Sequence, residues 1–193
     1  MITVNNIEEL TPAVIARIIE NHKASQLIRM EKVERYYDND NDINRRVTHD
    51  VSKPNNKIAN GYASYITDTM VGYFMGEPVT YNCNDTDLLQ KLLDLFEYND
   101  EADENAELAK DASIYGVAYE QLYIDPKGQI RFKRLDPKTV IPIFDKTIEE
   151  NLLGVIRYYK DFDFVDNREK NYVELITRTS IIHYKSDDMS VMI

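Results

Sequence analysis

Ile58-Ala59-Asn60-Gly61-Tyr62-Ala63-Ser64-Tyr65-Ile66-Thr67-Asp68-Thr69-Met70-Val71-Gly72-Tyr73-Phe74-Met75 carries a single formal charge, on Asp68. Ile58, Tyr62, Tyr65, Ile66, Met70, Tyr73 and Phe74 recur at steps of three and four, the period of an α-helix. The apolar positions cover more than one stripe, so this helix is expected to pack on several sides and to form the spine of the fold. Gly61 and Gly72 each weaken a helix by about 1 kcal/mol relative to alanine, which close approach of a neighbouring backbone would offset. A leucine at Gly72 is therefore expected to overpack. Asn55 and Asn56, after Lys53-Pro54, are N-cap signals; Gly76 is expected just past the helix, and Pro78 prevents its continuation. With Asn60, Asp68 and two glycines, the stretch is not the near-continuous apolar run of a membrane span.

Toward the N-terminus, Thr11-Pro12 is a helix start, and Val14, Ile15, Ile18 and Ile19 fall on one face. A second helical stretch, from about Ser25 to Tyr37, places Leu27, Met30, Val33 and Tyr37 at helical spacing. Whether the two are separate depends on the backbone between His22 and Ala24. Asp38-Asn39-Asp40-Asn41-Asp42 is a turn-forming cluster that ends the helix. Toward the C-terminus, a short strand is expected at Val79–Cys83, then two acidic amphipathic helices. The first starts near Asp85, with Leu88, Leu89, Leu92, Leu93 and Phe96 inward. The second spans about Glu101 to Tyr115, with Ala106, Leu108, Ala109, Ala112 and Ile114 as its apolar set, and Gly116 ends it.

At Val117 the period changes from 3.6 to 2. Val117–Ile124 and Gln129–Leu135 flank the turn Asp125-Pro126-Lys127-Gly128, a hairpin signal. Further strands are expected at Thr139–Phe144, Leu153–Lys160, Tyr172–Arg178 and Ser180–Lys185. Pro142 cannot donate to a ladder and points to an edge or a bulge. Helices followed by an antiparallel meander define an α+β class. The expected division is 1–57, a helical arm with a polar loop, and 58–193, an α+β domain.

The net charge is −11, and residues 85–111 hold ten acids against two bases. Acids spread around two amphipathic helices form a solvated face or, on the sharper reading, an interface through Asp85, Asp94, Glu101, Asp103 and Glu104. This balance opposes a clinging nucleic-acid binder, which needs clustered lysine and arginine to displace phosphate counterions. Weak or no binding to duplex DNA is expected at physiological salt. Fourteen tyrosines and no tryptophan fit a strand-rich core or a subunit interface. Cys83 is the only cysteine, which excludes an intramolecular disulfide and fits a reducing cytoplasm. The segment Met1 to Asn6 lacks the basic and apolar regions of a secretory signal.

No catalytic, cofactor-binding or metal-binding residue is assigned. The six glycines lack the spacing of a dinucleotide fingerprint, and none precedes Lys-Ser or Lys-Thr as a P-loop requires. His22, His49-Asp50 and Asp68 imitate the metal pattern of HD-type phosphohydrolases, but the His-Asp pair lies in a polar stretch before Pro54. Asp38, Asp40 and Asp42 imitate the start of an EF-hand loop, yet its sixth position is Ile43 and its twelfth His49, where glycine and glutamate are needed.

Three segments in order resemble the portal family of tailed bacteriophages, in the type found in long-tailed phages of Gram-positive hosts. They are Tyr36-Tyr37-Asp38, where Asn39 stands at a position often held by glycine; Pro54-Asn55-Asn56 through to Gly72-Tyr73-Phe74-Met75-Gly76-Glu77-Pro78-Val79; and the strands with Ile156-Arg157-Tyr158-Tyr159 and Tyr172-Val173-Glu174-Leu175. The resemblance implies a structural, non-enzymatic subunit of a ring, dodecameric when assembled, at one capsid vertex of the virion, and in the host cytoplasm during assembly. It implies partners: further copies of the chain, terminase, scaffold or capsid protein, and tail adaptors. DNA passes through such a ring, with no membrane involved. The region present corresponds to the wing; stem, clip and channel-lining helix are expected beyond Ile193, with the chain truncated there. The rival readings are an acidic protein-interaction or capsid-adaptor module and, second, a metal-dependent hydrolase using His22, His49 and Asp50.

Overall fold

The computed structural model describes residues 2–48, 52 and 54–186, and shows an α+β chain. Its elements are β1 (Ile2–Thr3), a 3-10 turn (Ile7–Glu9), α1 (Pro12–His22), a π-helical turn (Lys23–Leu27), α2 (Ile28–Tyr37), a second 3-10 turn (Asp42–Arg45), α3 (Tyr62–Met75), α4 (Thr86–Tyr98), α5 (Glu101–Tyr115), β2 (Tyr119–Ile124), β3 (Ile130–Leu135), a third 3-10 turn (Pro137–Thr139), β4 (Val140–Phe144), β5 (Leu152–Asp163), β6 (Arg168–Thr177) and β7 (Ile181–Ser186). They form two compact units: Met1–Arg29 with Lys138–Ile193, and Met30–Pro137. The boundaries fall at 29/30 and 137/138 rather than at 57/58, because the N-terminal residues pack on the C-terminal strands.

The first unit is a five-stranded sheet, β1-β4-β5-β6-β7, with α1 on one face. The β4–β7 meander is antiparallel, as the period-2 pattern predicts. β1 adds a parallel edge through Ile2↔Ile143 and Thr3↔Phe144, which two residues are too few to announce in sequence. Thr11 Oγ1 accepts from the Val14 backbone N–H at 3.4 Å and Pro12 opens the first turn, so α1 begins where its cap predicts. Ile15, Ile18 and Ile19 then meet Ile141, Ile143, Ile156, Tyr158, Val173 and Leu175 in the core. His22 belongs to that core. Its Nδ1 lies 2.9 Å from the Tyr158 hydroxyl, and burial pushes its pKa down. α1 and α2 are one helical run joined by the π turn, which answers the question left open at His22–Ala24.

The second unit is organised differently. Among its described residues those buried are Thr67, Asn99, Glu104, Asp111 and Pro137, none of them a large apolar side chain. Polar groups do the joining. Asn99 Nδ2 donates to the Leu95 and Ile130 carbonyls at 2.8 and 3.1 Å, and its Oδ1 accepts from Phe132 N–H. That ties the end of α4 to the two-stranded β2–β3 hairpin, a sheet separate from the first. Alongside, Tyr81 lies tilted against Phe96, with ring centroids 4.6 Å apart, and Phe96 meets Phe132 edge-on at 6.3 Å.

α3 starts at Tyr62, after Gly61, rather than at Ile58, and Val79–Cys83 forms no strand. Leu88 and Leu93 are exposed, not inward. Gly76 sits in the right-handed region at φ −68°; glycine is needed there because a Cβ would collide with the Gly72 carbonyl oxygen. α3 is not a buried spine: of its residues only Thr67 is buried. Its apolar period predicts a surface that avoids water, and among the described residues of its own unit no element covers most of that surface. A Cβ at Gly72 would meet nothing within 4 Å, so overpacking is withdrawn as a mechanism. Gly72→Leu is expected to leave the urea midpoint unchanged or raise it, by about 1 kcal/mol at most from helix propensity. A loss beyond about 1 kcal/mol would show that α3 is covered at that point.

Candidate interaction surface

α3 presents its apolar residues to solvent on either side of its contact with α5. Tyr73 is 91% exposed, Phe74 74%, Tyr65 69% and Tyr62 68%, with Ile66 and Met70 also exposed. Two apolar grooves flank the helix. One, of about 570 Å³, is lined by Val33, Tyr36, Tyr37, Ala63, Ile66 and Ile114, together with Lys32 and two hydroxyl side chains. The second, of about 300 Å³, is lined by Met70, Val71, Phe74, Ala109, Ala112 and Ser113. Large exposed apolar patches on soluble proteins mark contact surfaces.

Of the motif residues of the resemblance, Tyr37 makes a direct bond to α3. Tyr37 donates to Asp68 Oδ1 at 2.9 Å, joining α2 to α3, and burial followed by the Asp68 hydrogen bond pushes its hydroxyl pKa up. Lys110 of α5 lies over the Tyr37 ring, 5.7 Å from its centroid, and Lys32 lies over Tyr36. Asn39 takes φ 61°, a left-handed turn that asparagine tolerates, so it can stand where glycine is common. Asn55 Nδ2 donates to the Arg46 carbonyl at 3.3 Å, an exposed contact outside any helix cap; Asn56 is exposed. Gly72, Tyr73 and Pro78 are exposed, at and beyond the end of α3.

The five acids split into two groups. Asp85 caps α4, accepting from Asp87 and Leu88 N–H, and remains exposed with Asp94 and Asp103. Glu101 accepts from the Tyr81 hydroxyl at 2.6 Å and from Asn105. The Tyr81 pKa is pushed up to about 12, first by that bond to a carboxylate. Glu104 is buried and pairs with Lys133 while accepting from Arg134 N–H at 2.8 Å; burial raises its pKa but these partners outweigh it and leave it low. Glu104 is therefore an internal clasp between α5 and β3 and not part of a solvated face. Sequence periodicity missed this because the buried face of α5 carries acids, at Glu104 and Asp111.

Asp111 sits beside that clasp. Its Oδ1 accepts from Arg134 Nη1 at 2.9 Å, and its Oδ2 has no hydrogen-bond partner among the described residues. Burial pushes its pKa up to about 6, Arg134 opposes, and Asp136 and Glu107 add to the rise. A folded pKa above the unfolded one means that the folded state holds the proton more tightly. This group's contribution to stability falls as pH rises from about 4 to about 6. His22 acts oppositely: its lowered pKa gives stability above about 6.5 that is lost on acidification. The test is therefore a comparison with Asp111→Asn, which keeps His22. Moving from pH 7 to pH 5 should stabilise the parent by about 1 kcal/mol relative to the variant in urea unfolding. Equal responses would mean that Asp111 titrates normally.

Asp40 pairs with Arg45 and Arg35, and Asp42 with Arg35 and Lys32, so these carboxylates close the α2 turn. His22 is a core residue, whereas His49 and Asp50 lie outside the described residues. Among the described residues no group of three or more His, Cys, Asp or Glu side chains is placed to hold a metal ion. No helix is long and apolar enough to cross a membrane, among the same residues.

The described residues thus form an α+β chain whose α3 leaves most of its apolar side chains exposed. Residues 16–191 match the family described as phage portal protein, SPP1 Gp6-like, and the chain belongs to that family. It is 26% identical over 192 residues to the portal protein of Bacillus phage SPP1, a match covering 94% of this chain and 37% of that protein. It is also 26% identical over 170 residues to the portal protein of Clostridium phage phiCD119, covering 78% of this chain and 38% of the relative. The chain thus spans a little over a third of the length of the curated relatives it matches. The family is a structural one, a component of the virion.

Proposed function

We propose that the chain serves as part of a portal subunit, in the ring at one capsid vertex that connects head to tail. In that role it takes part in procapsid assembly, in DNA packaging and ejection, and in head-tail joining, without catalysis of its own. The observation that carries the reading is the family match over residues 16–191. The uncovered α3 surface supports it, since a subunit of an assembly needs contact surface that a monomer leaves bare. The partners implied are further copies of the chain, terminase, scaffold or capsid protein, and tail adaptors. The exposed acids Asp85, Asp94 and Asp103 suit a surface that faces another protein or repels phosphate, so that DNA passes without being held. In cells, the protein is expected in the host cytoplasm during assembly and then in the virion.

The deciding experiment is genetic and microscopic. Disrupting the gene in the phage that carries it should yield capsids that lack DNA and tails, and gold-labelled antibody should mark a single vertex of the parent virion. Label spread over all vertices, or absent from virions that package normally, would sink the reading. Duplex DNA should bind the purified chain no more tightly than about 10⁻⁴–10⁻⁶ M at physiological salt, the range of non-specific binding.

A further inference from the structure

Apart from Pro137, unit 30–137 buries no apolar side chain among its described residues, yet it exposes Tyr62, Tyr65, Ile66, Met70, Tyr73 and Phe74 along one helix. We propose that this α3 face is the surface on which a second copy of the chain packs. The inference rests on the portal reading and names the contact surface within it.

Area is the first argument. Aromatic side chains of this kind bury roughly 150–250 Å² each, so six large residues exposed by well over half offer on the order of 800 Å². A standard protein–protein interface takes about 800 Å² from each partner, so the face alone meets the requirement. Chemistry is the second. Asp68 is the only residue of α3 that carries a formal charge at neutral pH, and its carboxylate already accepts from Tyr37. Lys32, which lines the larger groove, is already paired with Asp42 at 3.3 Å, so the face offers little to a charged peptide or a polyanion, whereas an apolar protein surface suits it. The third argument is shape. The helix forms a ridge between grooves of about 570 and 300 Å³, whose linings include Ala63, Ala109 and Ala112, and small residues leave room for side chains of a partner. Ridges seated in grooves are how helices pack.

The test uses the whole chain, its variant Met70→Glu/Tyr73→Glu, and a control, Phe164→Glu, in the other unit. All three substituted residues are exposed, so the fold should survive, which far-UV circular dichroism checks. Sedimentation should give the parent a mass that is a multiple of 22.6 kDa and persists in 1 M salt, as apolar contact predicts. The α3 variant should sediment at 22.6 kDa, and the control should behave as the parent. A parent that is monomeric at every concentration overturns the inference, whether the face is covered by the other unit or by another polypeptide. So does an oligomer that survives the double substitution. Neither result touches the portal reading, which stands or falls on the vertex labelling.

Discussion

Ile156→Ala is expected to destabilise the protein by about 2–5 kcal/mol, while Ile66→Ala on α3 should cost about 0.5 kcal/mol or less. Ile156 lies in the middle of β5, fully buried, with Ile141 opposite on β4 and Leu175 opposite on β6. Removing its side chain leaves a cavity that strands on both sides and α1 above cannot close. Ile66 is 58% exposed, so truncation removes few contacts. Urea unfolding of the two variants, with a probe in each unit, measures the contrast. Similar losses at the two sites would place part of the core on α3, and the assignment of the core to the α1-covered sheet would be wrong.

Gly154→Val should cost about 1–3 kcal/mol by overpacking, and possession of a strand-favouring side chain will not rescue it. Gly154 pairs with Ile143 and Thr177 across the sheet. A Cβ there would stand 2.9 Å from the Ile176 carbonyl oxygen and 3.1 Å from Ile7 Cδ1. The first neighbour is backbone and cannot give way cheaply; the second belongs to the 3-10 turn that packs on the sheet. Gly154→Ala should show a smaller loss of the same sign. Thermal unfolding that leaves both variants level with the parent would mean that the Ile7 turn does not sit where the structure places it. The contrast with Gly72 is instructive: both glycines interrupt apolar runs, and only the neighbours of each decide which one is required.

Much of the secondary structure was legible because it rests on short-range physics. Thr11-Pro12 marks the start of α1, Asp125-Pro126-Lys127-Gly128 marks the hairpin, and the period-2 runs after Val117 mark β2 to β7 within a few residues. The same local signals misplaced the Val79–Cys83 segment, where alternation was too brief to distinguish a strand from an extended loop. The acids were legible as a group and not one by one. Glu104 and Asp103 are neighbours in sequence, yet one clasps Lys133 and Arg134 and the other faces water.

By itself the sequence determined the α+β class, the helix and strand periods, the acidic balance and, through ordered motifs from Tyr36 to Leu175, the family. All of these depend on residue identity and spacing along the chain. Tertiary structure alone decided that the N-terminal strand and α1 join β4–β7, that His22 is a core residue beside Tyr158, and that Asp111 is buried against Arg134. It also decided that the most apolar helix of the chain is not its core. Periodicity reports that a face prefers to leave water; it holds no information about which surface will cover it. That is set by contacts between residues far apart in sequence, or on different molecules.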